Sequence, residues 1–237
     1  MKLIIESDIF KYFPGIRIAA THARIKSIKD PAGIGAYLSR AWRLAGEEGV
    51  RFGNPQSHPN IKPWGESMKA IGVSRKDFPS SIESLVRRAT KSESPIRINP
   101  VVDFYNAVSL MNMAPAGAYD IDDLKSDLAL RFSKEGDTFE SLDSDEALCV
   151  PEGEVSYTDG NIVITRHFVW KQSKHTLITE KSRNVLILSE SLSAIPSDTA
   201  DKVLADFRDG LAKFFDAEAG GCILDEENPE FDLSGQA

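Results

Sequence analysis

Asn99-Pro100-Val101-Val102-Asp103-Phe104-Tyr105-Asn106 is the stretch that decides the fold class. Asn is a favoured helix N-cap, and Pro suits the first helical position, where the amide hydrogen it lacks would have had no partner. A helix therefore opens at Pro100, with Val101, Val102, Tyr105, Val108 and either Met111 or Met113 supplying its apolar contacts. That phase leaves Asp103 and Asn106, three apart, on one side of the helix.

Upstream the pattern stays helical. Ser80-Ser81-Ile82-Glu83 reads as a capping box, with Ile82, Leu85, Val86 and Ala89 continuing one face and Arg87, Arg88 and Lys91 making a basic end. Ile34, Tyr37, Leu38, Ala41, Trp42 and Ala45 form another helical stripe, with Arg40 and Arg43 off it. Gly46 to Trp64, rich in Gly and Pro, is expected to be a long loop. Leu3–Ile5 and Ile16–Ala19 read as short strands around the Pro14-Gly15 turn.

Downstream the period changes. Leu128–Phe132, Glu154–Tyr157, Ile162–Trp170 and Asn184–Leu188 are β-like runs, with Asp159-Gly160 a hairpin signal between two of them. From Ser197 a helical face runs through Val203, Leu204, Phe207, Leu211, Phe214 and Phe215, expected to stop at Gly220-Gly221. Asp225 to Ala237 is acidic and aperiodic, and is expected to be a loose tail. Helices, then a strand-rich middle, then a helix predict an α+β fold. The expected division is an N-terminal extension over 1–70 packed on a main domain over 71–224, followed by the tail over 225–237.

The 237 residues, 41% of them hydrophobic, suffice for one sizeable core. A charge pair follows after only three apolar residues at the start, and no apolar run approaches the roughly 18 residues of a membrane span, so a cytoplasmic protein with no membrane partner is expected. Cys149 and Cys222 lack C-x-x-C spacing, and His22, His58, His167 and His175 are scattered, so neither a metal nor any other cofactor is expected. Net charge is −8, yet residues 1 to 100 carry 17 Lys and Arg against 9 Asp and Glu. Such asymmetry either gives a basic face on an acidic protein or maps onto no single face.

There is no G-x-S-x-G, Walker loop or H-E-x-x-H. What stands out is an ordered series: the Asn99 to Asn106 stretch, Ala114 to Leu124 with Gly117 and Tyr119 inside it, Glu135-Gly136-Asp137, Leu142-Asp143, Trp170-Lys171-Gln172-Ser173, and Ile178 to Leu186 with Thr179 and Glu180. This series, over about residues 75 to 215, resembles the B3/B4 domain of the phenylalanyl-tRNA synthetase β subunit, and more closely the stand-alone B3/4 domain proteins. In that family an Asp and Asn lie in V-D-x-x-N, followed by P-x-H-A-F-D, E-G-E and V-T-x-x-T segments. Two positions depart: the family's His is Gly117 here, and its Gly-Gly pair aligns with Gln172-Ser173.

The resemblance implies a β-rich sandwich flanked by helices, with a pocket that hydrolyses the ester of tyrosine wrongly attached to phenylalanine tRNA. An aminoacyl ester is already activated, so water positioning and oxyanion stabilisation can suffice without a triad. The changed pocket residues point away from tyrosine on phenylalanine tRNA as the substrate. On this reading Gln172, Ser173 and Glu180 are the candidate catalytic residues; Asn99, Asp103, Asn106, Gly117, Tyr119, Trp170 and Thr179 would bind the amino-acid moiety; and Arg40, Arg43, Arg87 and Arg88 would meet tRNA phosphates. Equally, Asp103 can pair within its helix neighbourhood, Asn106 can be a buried amide, Asn99 can be only a cap, and Tyr119 and Trp170 can be core aromatics. The expected function is hydrolysis of mischarged aminoacyl-tRNA in trans. A non-catalytic amino-acid or tRNA-binding module that keeps the fold is the alternative, and hydrolysis of a small amino-acid ester or amide a third.

Overall fold

A computed structural model of the protein describes residues 1–144 and 146–234. In chain order the elements are β1 (Lys2–Ile5), α1 (Ser7–Tyr12), β2 (Arg17–Ile28), α2 (Pro31–Arg51), α3 (Lys62–Ala70), α4 (Ser81–Ala89), α5 (Pro100–Asn112), β3 (Ala116–Asp120), β4 (Leu128–Phe132), β5 (Thr138–Glu140), β6 (Ala147–Cys149), β7 (Val155–Asp159), β8 (Ile162–Arg166), β9 (Lys171–Gln172), β10 (Asn184–Ser191), α6 (Thr199–Phe214), β11 (Phe215–Leu224) and β12 (Glu230–Asp232). The fold is α+β.

The larger sheet runs β12-β1-β4-β7-β8-β5-β6, with β9 also on β8; the smaller runs β11-β2-β10-β3. Strand parity shows how the layers stack. On β10, Leu186 and Leu188 join a core shared with Leu128, Leu130, Val155 and Tyr157 of the larger sheet. The alternate residues Val185 and Ile187 pack with Phe104 and Phe207 of the helices. β10, inside the small sheet, is thus buried on both faces, one against the large sheet and one against α5 and α6, while α2, α4 and α5 share a further apolar cluster around Trp42 and Leu110.

Helix starts follow the sequence. The Asn99 side chain accepts from the Val102 amide at 3.0 Å, and Ser80 accepts from the Glu83 amide. The carboxylate of Glu83 does not close the capping box; buried, it accepts from Gln56 Nε2 at 2.9 Å, Arg75 Nε at 2.7 Å and Arg87.

Four sequence expectations change. The loop expected over Gly46 to Trp64 is helical to Arg51 and again from Lys62, where Pro63 sits in the first turn. The strand expected over Ile16 to Ala19 runs on to Ile28, because its small residues Ala19, Ala20 and Ala23 are buried on both faces and show no alternation. The last helix ends at Phe214, and Gly220-Gly221 lies inside β11. Gly221 is no helix stop: a Cβ there would meet Ala20 O at 2.6 Å, so glycine permits close strand approach.

The stretch expected as a loose tail carries β12, antiparallel to β1; its residues 235–237 lie outside the described residues. β1 pairs with β4, and β2 sits between β10 and β11 in the middle of the small sheet.

Candidate functional site

A cleft of about 420 Å³ opens beside β3, the edge strand of the small sheet. Its wall comprises Ser81, Ser84, Leu85 and Arg88 of α4, Val102, Tyr105 and Asn106 of α5, Gly117 and Tyr119 of β3, and Thr165 of β8. Phe168, Val169 and Trp170, with Lys171 and Gln172 of β9, close the far side, and Glu190 of β10 completes the lining.

A bent connection sets that far side. His167 and Phe168 both take left-handed φ, +44° and +64°, unusual for residues with side chains and costly by roughly 1–3 kcal/mol each. Buried Glu154 holds the bend: it accepts from the His167 amide at 3.0 Å and from Arg166 Nη2 at 2.6 Å. Burial also holds the His167 imidazole below its ordinary pKa. Val169 then accepts from the Ser81 amide at 2.8 Å, joining the bend to the start of α4. Trp170 is packed edge-on by Phe78, ring centroids 4.7 Å apart, with the Arg166 guanidinium 5.8 Å from its own ring centre.

Of the residues selected from sequence, the cleft gathers Asn106, Gly117, Tyr119, Trp170, Gln172 and Arg88. Among the described residues no side-chain hydrogen-bond partner is seen for Asn106, leaving its amide available to a ligand. Gln172 Nε2 donates to Ala118 O at 2.9 Å, bridging β9 to β3 and keeping one amide hydrogen and the amide oxygen in reserve. A Cβ on Gly117 would meet nothing within 4 Å, so the space there is open. Tyr119 is largely buried, shares a 2.7 Å hydrogen bond with Thr165 Oγ1, and has its pKa pushed well above 10 by burial.

The remaining selected residues lie elsewhere. Asp103 is spent on structure: one oxygen takes Arg97 Nε at 2.5 Å and the other the Ile98 amide at 2.9 Å. Ser173 is fully buried, its hydroxyl donating to Glu140 O at 2.8 Å. Asn99, Thr179 and Glu180 line a separate cavity of about 230 Å³ at the start of α5, where Asn99 Nδ2 donates to Ile178 O at 3.1 Å. Arg40 and Arg43 line a groove between α2 and α4, and Arg43 pairs with Glu47 at 2.9 Å. Arg87 is tied to Glu83. The pocket read as one from sequence is therefore two.

Sequence reasoning missed Glu190. It is 4% exposed and lines the cleft, receiving the Tyr157 hydroxyl on Oε1 at 2.8 Å. Burial raises its pKa from 4.5 to about 7, opposed in part by the Tyr157 hydrogen bond. The signal was in the strand period: Glu190 shares the face of Leu186 and Leu188, an acid in register with the inter-sheet core. Such a carboxyl, poised near neutrality in a cleft, can either take a proton or answer a ligand's charge.

No curated protein matches the chain. The family model described as "B3/4 domain" matches residues 64–202, more than half of the chain and all of the cleft-lining residues named here. None of the helices among the described residues is long and apolar enough to cross a membrane. The chain belongs to the B3/4 domain family, the domain type found in the phenylalanyl-tRNA synthetase β subunit, and is a tRNA-synthetase-related module.

Proposed function

We propose that the protein hydrolyses the ester of a mischarged aminoacyl-tRNA in trans, with the aminoacyl group seated in the cleft beside β3. The observation that carries this reading is that cleft's lining: Asn106, Gly117, Tyr119, Trp170 and Gln172, chosen from separate sequence segments, surround one space of about 420 Å³. That volume suits one amino-acid residue, while the tRNA stays outside. Arg88, exposed and part of the same lining, is the residue that would meet a terminal phosphate.

Water adds to the ester carbonyl carbon, the bond to the ribose oxygen breaks, and the water's protons pass to that departing oxygen and to solvent. Asn106 and the spare amide hydrogen of Gln172 are the donors for the transient oxyanion. Because the tRNA end remains at the rim, the amino-acid side chain points inward to Glu190, which acts in selection. Editing of this kind is needed wherever a synthetase pocket cannot separate similar side chains by more than a few kcal/mol.

The test is a deacylation screen of purified protein against tRNAs carrying correct and near-cognate radiolabelled amino acids, at low and physiological salt. Rapid loss from a mischarged pair, slowed by Asn106→Ala, is the expected result. Absence of loss from every pair, with charged or uncharged tRNA still bound, would replace the deacylase with a non-catalytic binding module.

A further inference from the structure

We infer that the cleft selects an amino acid whose side chain ends in a cation, an ammonium or a guanidinium, seated on Glu190 between aromatic walls. This rests on the reading of the cleft as the seat of an aminoacyl group, and it names the class of residue accepted there.

Three observations converge. Glu190 is the sole acidic side chain lining the cleft among the described residues. No protein cation is set against it: Lys171, also in the lining, is held by Asp143 at 2.9 Å, and Arg88 is exposed on α4. Its one side-chain donor among those residues is the neutral Tyr157 hydroxyl, which satisfies one lone pair and none of the charge. A carboxylate withdrawn from water without a counter-charge is costly, and a ligand cation removes that cost where a hydroxyl or methyl group does not.

The walls supply the second element. Tyr105, Tyr119, Phe168 and Trp170 line the same space. Aromatic faces attract a desolvated cation by about 0.5–2 kcal/mol each, whereas a plain apolar pocket would repel it. Open space above Gly117 leaves room for an unbranched side chain several atoms long.

The experiment titrates the full chain calorimetrically at pH 7.5 with L-lysinamide, L-argininamide, L-norleucinamide and L-tyrosinamide, which share one α-ammonium and differ only in the side chain. Lysinamide or argininamide should bind about tenfold or more tighter than norleucinamide, a gap of about 1.4 kcal/mol, and Glu190→Gln should abolish the gap. Equal or tighter binding of norleucinamide, strongest binding of tyrosinamide, no binding of any amide, or a gap that survives Glu190→Gln overturns the inference. The wild-type comparison needs no variant, so it stands whether or not Glu190→Gln folds. Presenting the same amino acids as tRNA esters separates the two claims. Hydrolysis confined to esters of uncharged side chains sinks the cation selectivity and leaves the deacylase; cation-selective binding with no ester hydrolysed does the reverse.

Discussion

The hydroxyl of Tyr157, from the large sheet, donates to Oε1 of Glu190, from the small one, at 2.8 Å. The bond spans the space between the sheets at the point where the cleft meets the core. Glu190 is protonated more readily folded, near pH 7, than unfolded, near 4.5. Between those values the unfolded chain has released a proton that the folded chain retains, so this group's stabilisation is full below about 4.5 and is lost as pH rises through about 7.

Urea denaturation across pH 4.5 to 8 should therefore show wild type losing about 3 kcal/mol relative to Glu190→Gln. The difference between the two proteins is the readout, since burial depresses His58 and His167 and gives an opposing slope on the acid side of the ordinary histidine pKa of 6.5, common to both. Parallel curves would show that Glu190 titrates normally.

Asn106→Ala should cut the deacylation rate by roughly 10²-fold, the cost of removing one oxyanion donor. Its stability should change by no more than about 0.5 kcal/mol, because the side chain makes no hydrogen bond among the described residues. A loss of stability matching the loss of rate would make Asn106 a structural amide.

Asp103→Ala should behave the opposite way. It strands the Ile98 amide and frees half-exposed Arg97, costing about 1–3 kcal/mol with turnover by the folded fraction little changed. Comparing the melting temperature with the rate per folded molecule checks this.

Gly117→Ala should fold at least as well as wild type, gaining about 0.4–1 kcal/mol, since the added methyl meets nothing and Gly117 does not take a left-handed φ. It should narrow the cleft and weaken the largest amino-acid amides first in the calorimetric series. Gly210→Ala is the contrasting control: its methyl would fall 2.1 Å from Phe104 Cε2 and should destabilise the helix layer.

Much of this was legible before any coordinates. Asn99-Pro100 marked a helix start that the structure caps as expected, and Asp159-Gly160 marked the turn between β7 and β8, with Gly160 at φ +59°. The illegible parts have separate causes. Where both faces of a strand are buried, as at Ala19 to Ala23, alternation disappears; where a glycine serves strand contact, as at Gly221, it imitates a helix end. The series of family segments led to Asn106, Gly117, Tyr119, Trp170 and Gln172, but not to the separation of Glu180 from them, because sequence order does not say which loops face each other. Glu190 lay beyond those segments, and its parity with Leu188 was the clue.

The position of β2 also sets the order in which the molecule can be made. Its partners are residues 184–191 and 215–224, so on a ribosome the first long strand waits without a neighbour while more than 150 further residues are synthesised. Closing such distant pairs slows folding. It also means that Glu190 acquires its setting only after most of the chain has emerged, so a partly made polypeptide presents no formed cleft.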